Sequence, residues 1–157
     1  MNRIRLSLLT SVAVVGTLAL VATQGDPAVG TWKLNSSKSR YNPGLPPKSQ
    51  TVTITAATNG ITVTSRGTDA EGKPIATDYT VAYDGKDAPV KGSRSYDMTS
   101  LKRIDPSTTE LTRKKGGRVV QTVRRVISAD GKTMTVTTTG ENELGVKINN
   151  VGVFERQ

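Results

Sequence analysis

From residue 107 to the C-terminus, runs of β-branched residues alternate with short turns, and this pattern leaves little but an antiparallel meander open to the chain. Residues 107–115 break at Gly116-Gly117, residues 118–128 at Asp130-Gly131, and residues 132–139 at a polar loop before the last run, 146–156. Gly-Gly and Asp-Gly reach the positive φ angles that tight hairpins need, so each break reads as a hairpin. A flat meander would leave two edges whose free N–H and C=O groups invite further pairing. Curling until the last strand meets the first removes both. The expected fold is therefore all-β: a single antiparallel up-and-down meander closed into an 8–10-stranded barrel.

The upstream half repeats the pattern. In residues 50–55, Val52 and Ile54 fall on one face and threonines on the other, and Asn59-Gly60 is a strong hairpin signal. Residues 61–65 return with the same alternation. After a turn at 69–73, residues 74–83 put Ile75, Thr77, Tyr79, Val81 and Tyr83 on one face. Pro89 limits residues 88–91 to a short edge-like strand, and residues 96–104 lead through Asp105-Pro106-Ser107 into the C-terminal meander. Ahead of all these lies a short opening strand, residues 30–34, with the only tryptophan, Trp32. Pro43, Gly44, Pro46 and Pro47 make residues 36–48 a loop. Nine or ten strands result, and no window after Gly25 carries an apolar stripe at the helical period.

The N-terminus is different in kind. Arg3 and Arg5 precede residues 6–25, which carry no charge, as in a secretory signal with its basic and apolar regions. The expected division is a signal peptide over 1–23, cleaved near Ala22 or Thr23, a short segment over 24–29, and a barrel domain over 30–157. An uncleaved anchor is the alternative, since about 20 uncharged residues just span a bilayer. The protein is expected to be secreted or periplasmic. The chain has no cysteine, which excludes a lipid-anchored lipoprotein.

Assembled, these pieces resemble the lipocalin and fatty-acid-binding-protein superfamily, the calycins, in the form of a bacterial lipocalin-like domain. Gly30-Thr31-Trp32 is similar to the Gly-x-Trp start of that group's first strand. Residues 120–156, with the Asp130-Gly131-Lys132 turn, resemble the last three strands of an intracellular lipid-binding protein. The resemblance implies a barrel around a small ligand, with Trp32 plugging its closed end. It also implies departures. The Pro-rich loop replaces the helical lid of the lipid-binding proteins, and the lipocalins' C-terminal helix is missing. The Arg-x-Tyr pair that grips fatty-acid carboxylates falls on Gly152 and Phe154. A second family arginine falls on Arg125, allowing one inserted residue.

Alternation places Val52, Ile54, Val63, Tyr79, Val81, Gln121, Val123, Arg125, Met134, Val136 and Phe154 inward as candidate ligand contacts. Ile61, Ile127 and Ile148, with Thr77, Thr138 and Asn150, share those faces. An apolar wall with a few polar groups suits a small-molecule pocket; the same residues also describe a barrel packed solid. Aromatic residues make up only 4% of the chain, which favours leftover space. Arg125 faces inward in the expected register and holds an anionic head-group there. A one-residue slip would turn it out and bring Arg124 in.

The net charge is +9. Lys102, Arg103, Arg113, Lys114, Lys115, Arg118, Arg124 and Arg125 fall on three successive strands and read as a solvated basic face, with anionic lipid or polysaccharide as the partner it would suit. A nucleic-acid surface would pair such a stripe with stacking aromatics, and only Tyr96 lies nearby. Catalysis has little to work with: there is no histidine or cysteine, and Asp69, Glu71, Asp84, Asp87, Asp105 and Asp130 sit in turns. A lysine-activated serine stays formally open. The expectation is a monomeric, non-enzymatic protein with no cofactor or metal, binding a small apolar or amphipathic ligand. The alternative is a solid barrel acting as an envelope-associated interaction module through its basic face.

Overall fold

Ten antiparallel strands follow one another around a closed barrel in the computed structural model, which describes residues 25–157. They are β1 (Gly30–Leu34), β2 (Ser49–Ala57), β3 (Gly60–Thr68), β4 (Pro74–Ala82), β5 (Ala88–Lys91), β6 (Met98–Asp105), β7 (Thr108–Lys115), β8 (Arg118–Ile127), β9 (Thr133–Glu141) and β10 (Lys147–Arg156). The expected closed meander is present at ten strands, and the two ends meet: β1 pairs with β10 through Trp32↔Arg156 and Leu34↔Phe154. The expected signal segment, with its cleavage site or anchor, lies outside the described residues.

Closure needs more than β1, because its five residues are half as many as β10's ten. The Pro-rich segment supplies the rest. After a single 3-10 turn over Ser36–Lys38, the Arg40 N–H donates to the Val151 carbonyl and the Val151 N–H to the Arg40 carbonyl. The Asn149 N–H then donates to the Asn42 carbonyl at 2.8 Å. A segment whose prolines forbid a long strand still satisfies the exposed half of β10, so the seam has no open edge.

Strand parity sorts the side chains. Threonines 51, 53, 62, 64, 135 and 137 point outward, while Trp32, Ile54, Ile61, Val81, Leu101, Leu111, Val123 and Ile127 are buried. One end of the barrel is floored. Trp32 is fully buried, its Nε1–H donates to the Ala28 carbonyl at 2.9 Å, and the Arg156 guanidinium lies 4.2 Å from its ring centroid. Asp26 closes the same end, accepting hydrogen bonds from the Tyr83 hydroxyl and from Arg103 Nη2. The other end is the mouth, formed by the loops β1–β2, β3–β4, β5–β6, β7–β8 and β9–β10.

Candidate binding cavity

The interior is not filled. A cavity of about 540 Å³ opens at the mouth and runs down into the barrel, within the size range of small-molecule sites. Its lower wall is apolar: Val52 from β2, Val63 from β3, Met134 and Val136 from β9, and Phe154 from β10. Tyr79 of β4 and Tyr96, which precedes β6, add two buried rings. With a single phenylalanine and a single tryptophan in the chain, and the tryptophan spent on the floor, valines and a methionine cannot fill a ten-stranded interior.

Of the residues expected to face a ligand, Val52, Val63, Tyr79, Arg125, Met134, Val136 and Phe154 line this cavity. Ile54, Val81 and Val123 point inward as expected but are packed in the buried core and do not reach the cavity wall. Gln121 is buried as well; it accepts from Arg113 Nη1 at 3.0 Å and donates to the Glu141 carbonyl at 2.9 Å. These four brace the wall.

Arg125 is inside the barrel, at 5% exposure, and its Nε and Nη1 have no hydrogen-bond partner among the described residues. That is unusual, because a buried donor left unpaired costs about 1–3 kcal/mol, and more when charged. Arg124 sits opposite Glu110 in the β7–β8 register and is exposed, so the two neighbouring arginines have the faces that strand alternation requires.

Sequence reasoning missed a second inward cation. Arg113 of β7 lines the cavity, with its guanidinium 4.3 Å from the centroid of the Tyr96 ring and its Nε without a partner among the described residues. It reads as one of three consecutive basic residues, but a register shift between Arg113 and Lys114 breaks the run. Lys114 instead pairs with Asp87 at 2.7 Å. The alternation Thr109, Leu111, Arg113 contained the signal. Burial raises the pKa of the Tyr96 hydroxyl, against the opposing charges of Arg113 and Arg125, and does the same to Tyr41, which Arg113 also opposes. Both rings therefore stay neutral at ordinary pH. A cation–π contact returns about 0.5–2 kcal/mol, against several kcal/mol for burying an ion.

The mouth is clasped. Arg94 of the β5–β6 loop reaches Asp69 at 2.9 Å and Glu143 at 3.1 Å, tying the β3–β4 and β9–β10 loops together above the cavity. The basic face expected on β6–β8 is dispersed. Arg113 and Arg125 turn inward, Arg103 pairs with Asp26, Arg118 with Glu141, and Glu110 sits between Lys102 and Arg124. No group of three or more acidic residues that could hold a metal ion occurs among the described residues.

No protein-family model matches the chain. No curated protein matches it either. Among solved structures it is similar to the zebrafish ileal bile acid-binding protein crystallised with cholic acid, at 12% identity and a TM-score of 0.51, over 83% of this chain and 99% of that one. At that identity the likeness shows the fold alone: this is a calycin-like barrel.

Proposed function

We propose that this protein is an exported, non-enzymatic binding protein that holds a small, partly apolar molecule inside the barrel, with an anionic end turned to Arg125. One observation carries the reading: a roomy cavity with apolar lower walls contains a buried guanidinium whose Nε and Nη1 have no partner among the described residues. Such a site is costly when empty and is relieved by an anion delivered on an apolar body. The zebrafish neighbour, crystallised with cholic acid, supports an amphipathic occupant. The unfilled interior and the dispersed charges favour this over a solid module acting through a basic face. Export rests on the Arg3, Arg5 and uncharged 6–25 pattern; N-terminal sequencing of protein from the extracellular or periplasmic fraction tests it.

Native mass spectrometry after gentle purification, with titration of the environment-sensitive dye anilinonaphthalene sulfonate, tests binding. One equivalent of ligand or dye is expected. Val136→Trp, which fills the cavity from β9, should remove it while leaving the far-ultraviolet β signal in place. Dye binding unchanged in Val136→Trp would place the binding elsewhere and sink the reading.

A further inference from the structure

We propose that Arg113 and Tyr96 form a second anion subsite nearer the mouth than Arg125, so that the favoured ligand carries two negative charges on an apolar body. The proposal rests on the cavity being a binding site and names the charge of what it takes.

Both arginines project from adjacent strands into one cavity. In the β7–β8 register Arg113 faces Gln121 and Arg125 faces Thr109, four residues further toward the floor. At about 3.4 Å per residue their backbones stand roughly 14 Å apart along the strands, while both charges still bear on the Tyr96 hydroxyl. The two guanidiniums thus look onto one space from different depths. Neither forms an ion pair among the described residues. The lining acids are confined to the mouth loops, where Asp69 and Glu143 already hold Arg94.

Three buried donor nitrogens, Arg113 Nε with Arg125 Nε and Nη1, have no acceptor among the described residues. A monocarboxylate neutralises one of the two cations and leaves the other charged inside the barrel. A phosphate monoester approached by both side chains, or a dicarboxylate reaching each at its own depth, neutralises both. Arg113 is held for this. Tyr96 stacks on its face, and the Gln121 amide, itself fixed to the Glu141 carbonyl, orients its Nη1. Those restraints keep the fork in place without supplying the missing charge.

Isothermal titration calorimetry with decanol, decanoate, decyl phosphate and decylsuccinate, each below its micellar concentration, tests the idea on the wild type, Arg113→Gln and Arg125→Gln. At least one dianion should bind the wild type about ten-fold more tightly than decanoate, as expected for an added charge-assisted contact. Arg113→Gln should abolish that preference while leaving decanoate affinity within about two-fold, and Arg125→Gln should weaken every anion. Preference for the phosphate would identify one shared centre, and preference for the succinate two separate ones.

Equal binding of decanoate and both dianions by the wild type overturns the proposal. So does an Arg113→Gln variant that weakens decanol and the anions alike, which marks a purely structural arginine. If none of the four binds the wild type, the cavity reading itself falls. A readout independent of any variant is the pH dependence of decyl phosphate binding to the wild type. Its affinity should rise through the second phosphate ionisation, near pH 6–7 by analogy with phosphoresidues at about 6; a flat profile overturns the proposal.

Discussion

Two arginines inside the same barrel lead opposite lives. Arg156 donates to the carbonyls of Gly131, Val29 and Pro27 and lies over Trp32, so its charge is fully engaged in holding the floor. Among the described residues, Arg125 has no hydrogen bond from its Nε or Nη1 and forms no ion pair. Stability alone would select a methionine at that position, which keeps most of the length and removes the desolvated charge. Arg125→Met should therefore stabilise the ligand-free protein, by about 1–3 kcal/mol from the unpaired-donor cost alone, measured by urea denaturation. Decyl phosphate should raise the melting temperature of the wild type, and the same variant should lose that rise. A less stable Arg125→Met would mean that the guanidinium is structurally satisfied. Gly152 makes the complementary point. It occupies an inward position on β10 where an added Cβ would lie 3.0 Å from Phe154 and 3.3 Å from the Tyr41 hydroxyl. The position that carries an arginine in the resembled family is thus a glycine here, tight for any side chain, while Arg113 brings a cation into the cavity from a different strand.

At the scale of elements, alternation carried far. The inward faces of β2, β3, β4 and β8 follow from Val52 and Ile54, Ile61 and Val63, Tyr79 and Val81, and Val123 and Arg125, because one face of each strand is buried and the period is two. It was overlooked at β7, where Thr109, Leu111 and Arg113 share the inward face and the basic run Arg113-Lys114-Lys115 masked that parity. It could not show the mouth clasp, since Asp69, Arg94 and Glu143 lie on three loops whose meeting depends on closure. The segment ahead of β1 was also hidden. Asp26 has no periodic neighbours, yet it binds Tyr83, the Ala28 N–H and Arg103 and so straps the chain across the floor. Burial pushes the Asp26 carboxyl up, but hydrogen bonds from Tyr83, Ala28 and Arg103 outweigh it and hold the pKa below the ordinary aspartate value. A carboxyl depressed in the folded state stabilises above its unfolded pKa, about 4, and that contribution fades as pH falls through the folded value. Asp26→Asn should accordingly be less stable than the wild type at pH 7, with the gap closing as pH drops from about 5 to below 3. Denaturant melts across that range check it; a gap constant with pH would show that the strap acts through the amide-compatible hydrogen bonds alone.

For the whole molecule the two ends of the barrel are held by different kinds of bond, and their mobility should differ accordingly. The floor combines a fully buried indole, the Arg156 network and the Asp26 strap. The mouth relies on Arg94, whose side chain is 51% exposed, and on partners at 17% and 35%. Exposed ion pairs of this kind contribute only about 0–1 kcal/mol each and are screened by salt, so the clasp adds little to global stability. Its position gives it a different weight, because it ties together three loops that line the opening of the cavity. Arg94→Ala should leave the denaturation midpoint nearly unchanged and raise both the association and release rates of anilinonaphthalene sulfonate by a few-fold, with a much smaller change in equilibrium affinity. Raising salt from 0.05 to about 0.5 M, which shortens the Debye length to a few ångströms, should speed exchange in the wild type and have little effect in Arg94→Ala. Stopped-flow fluorescence reads all of these. Should salt accelerate both proteins equally, or Arg94→Ala exchange no faster than the wild type, the route into the barrel does not run between these three loops, and the seam beside the Pro-rich segment becomes the place to look.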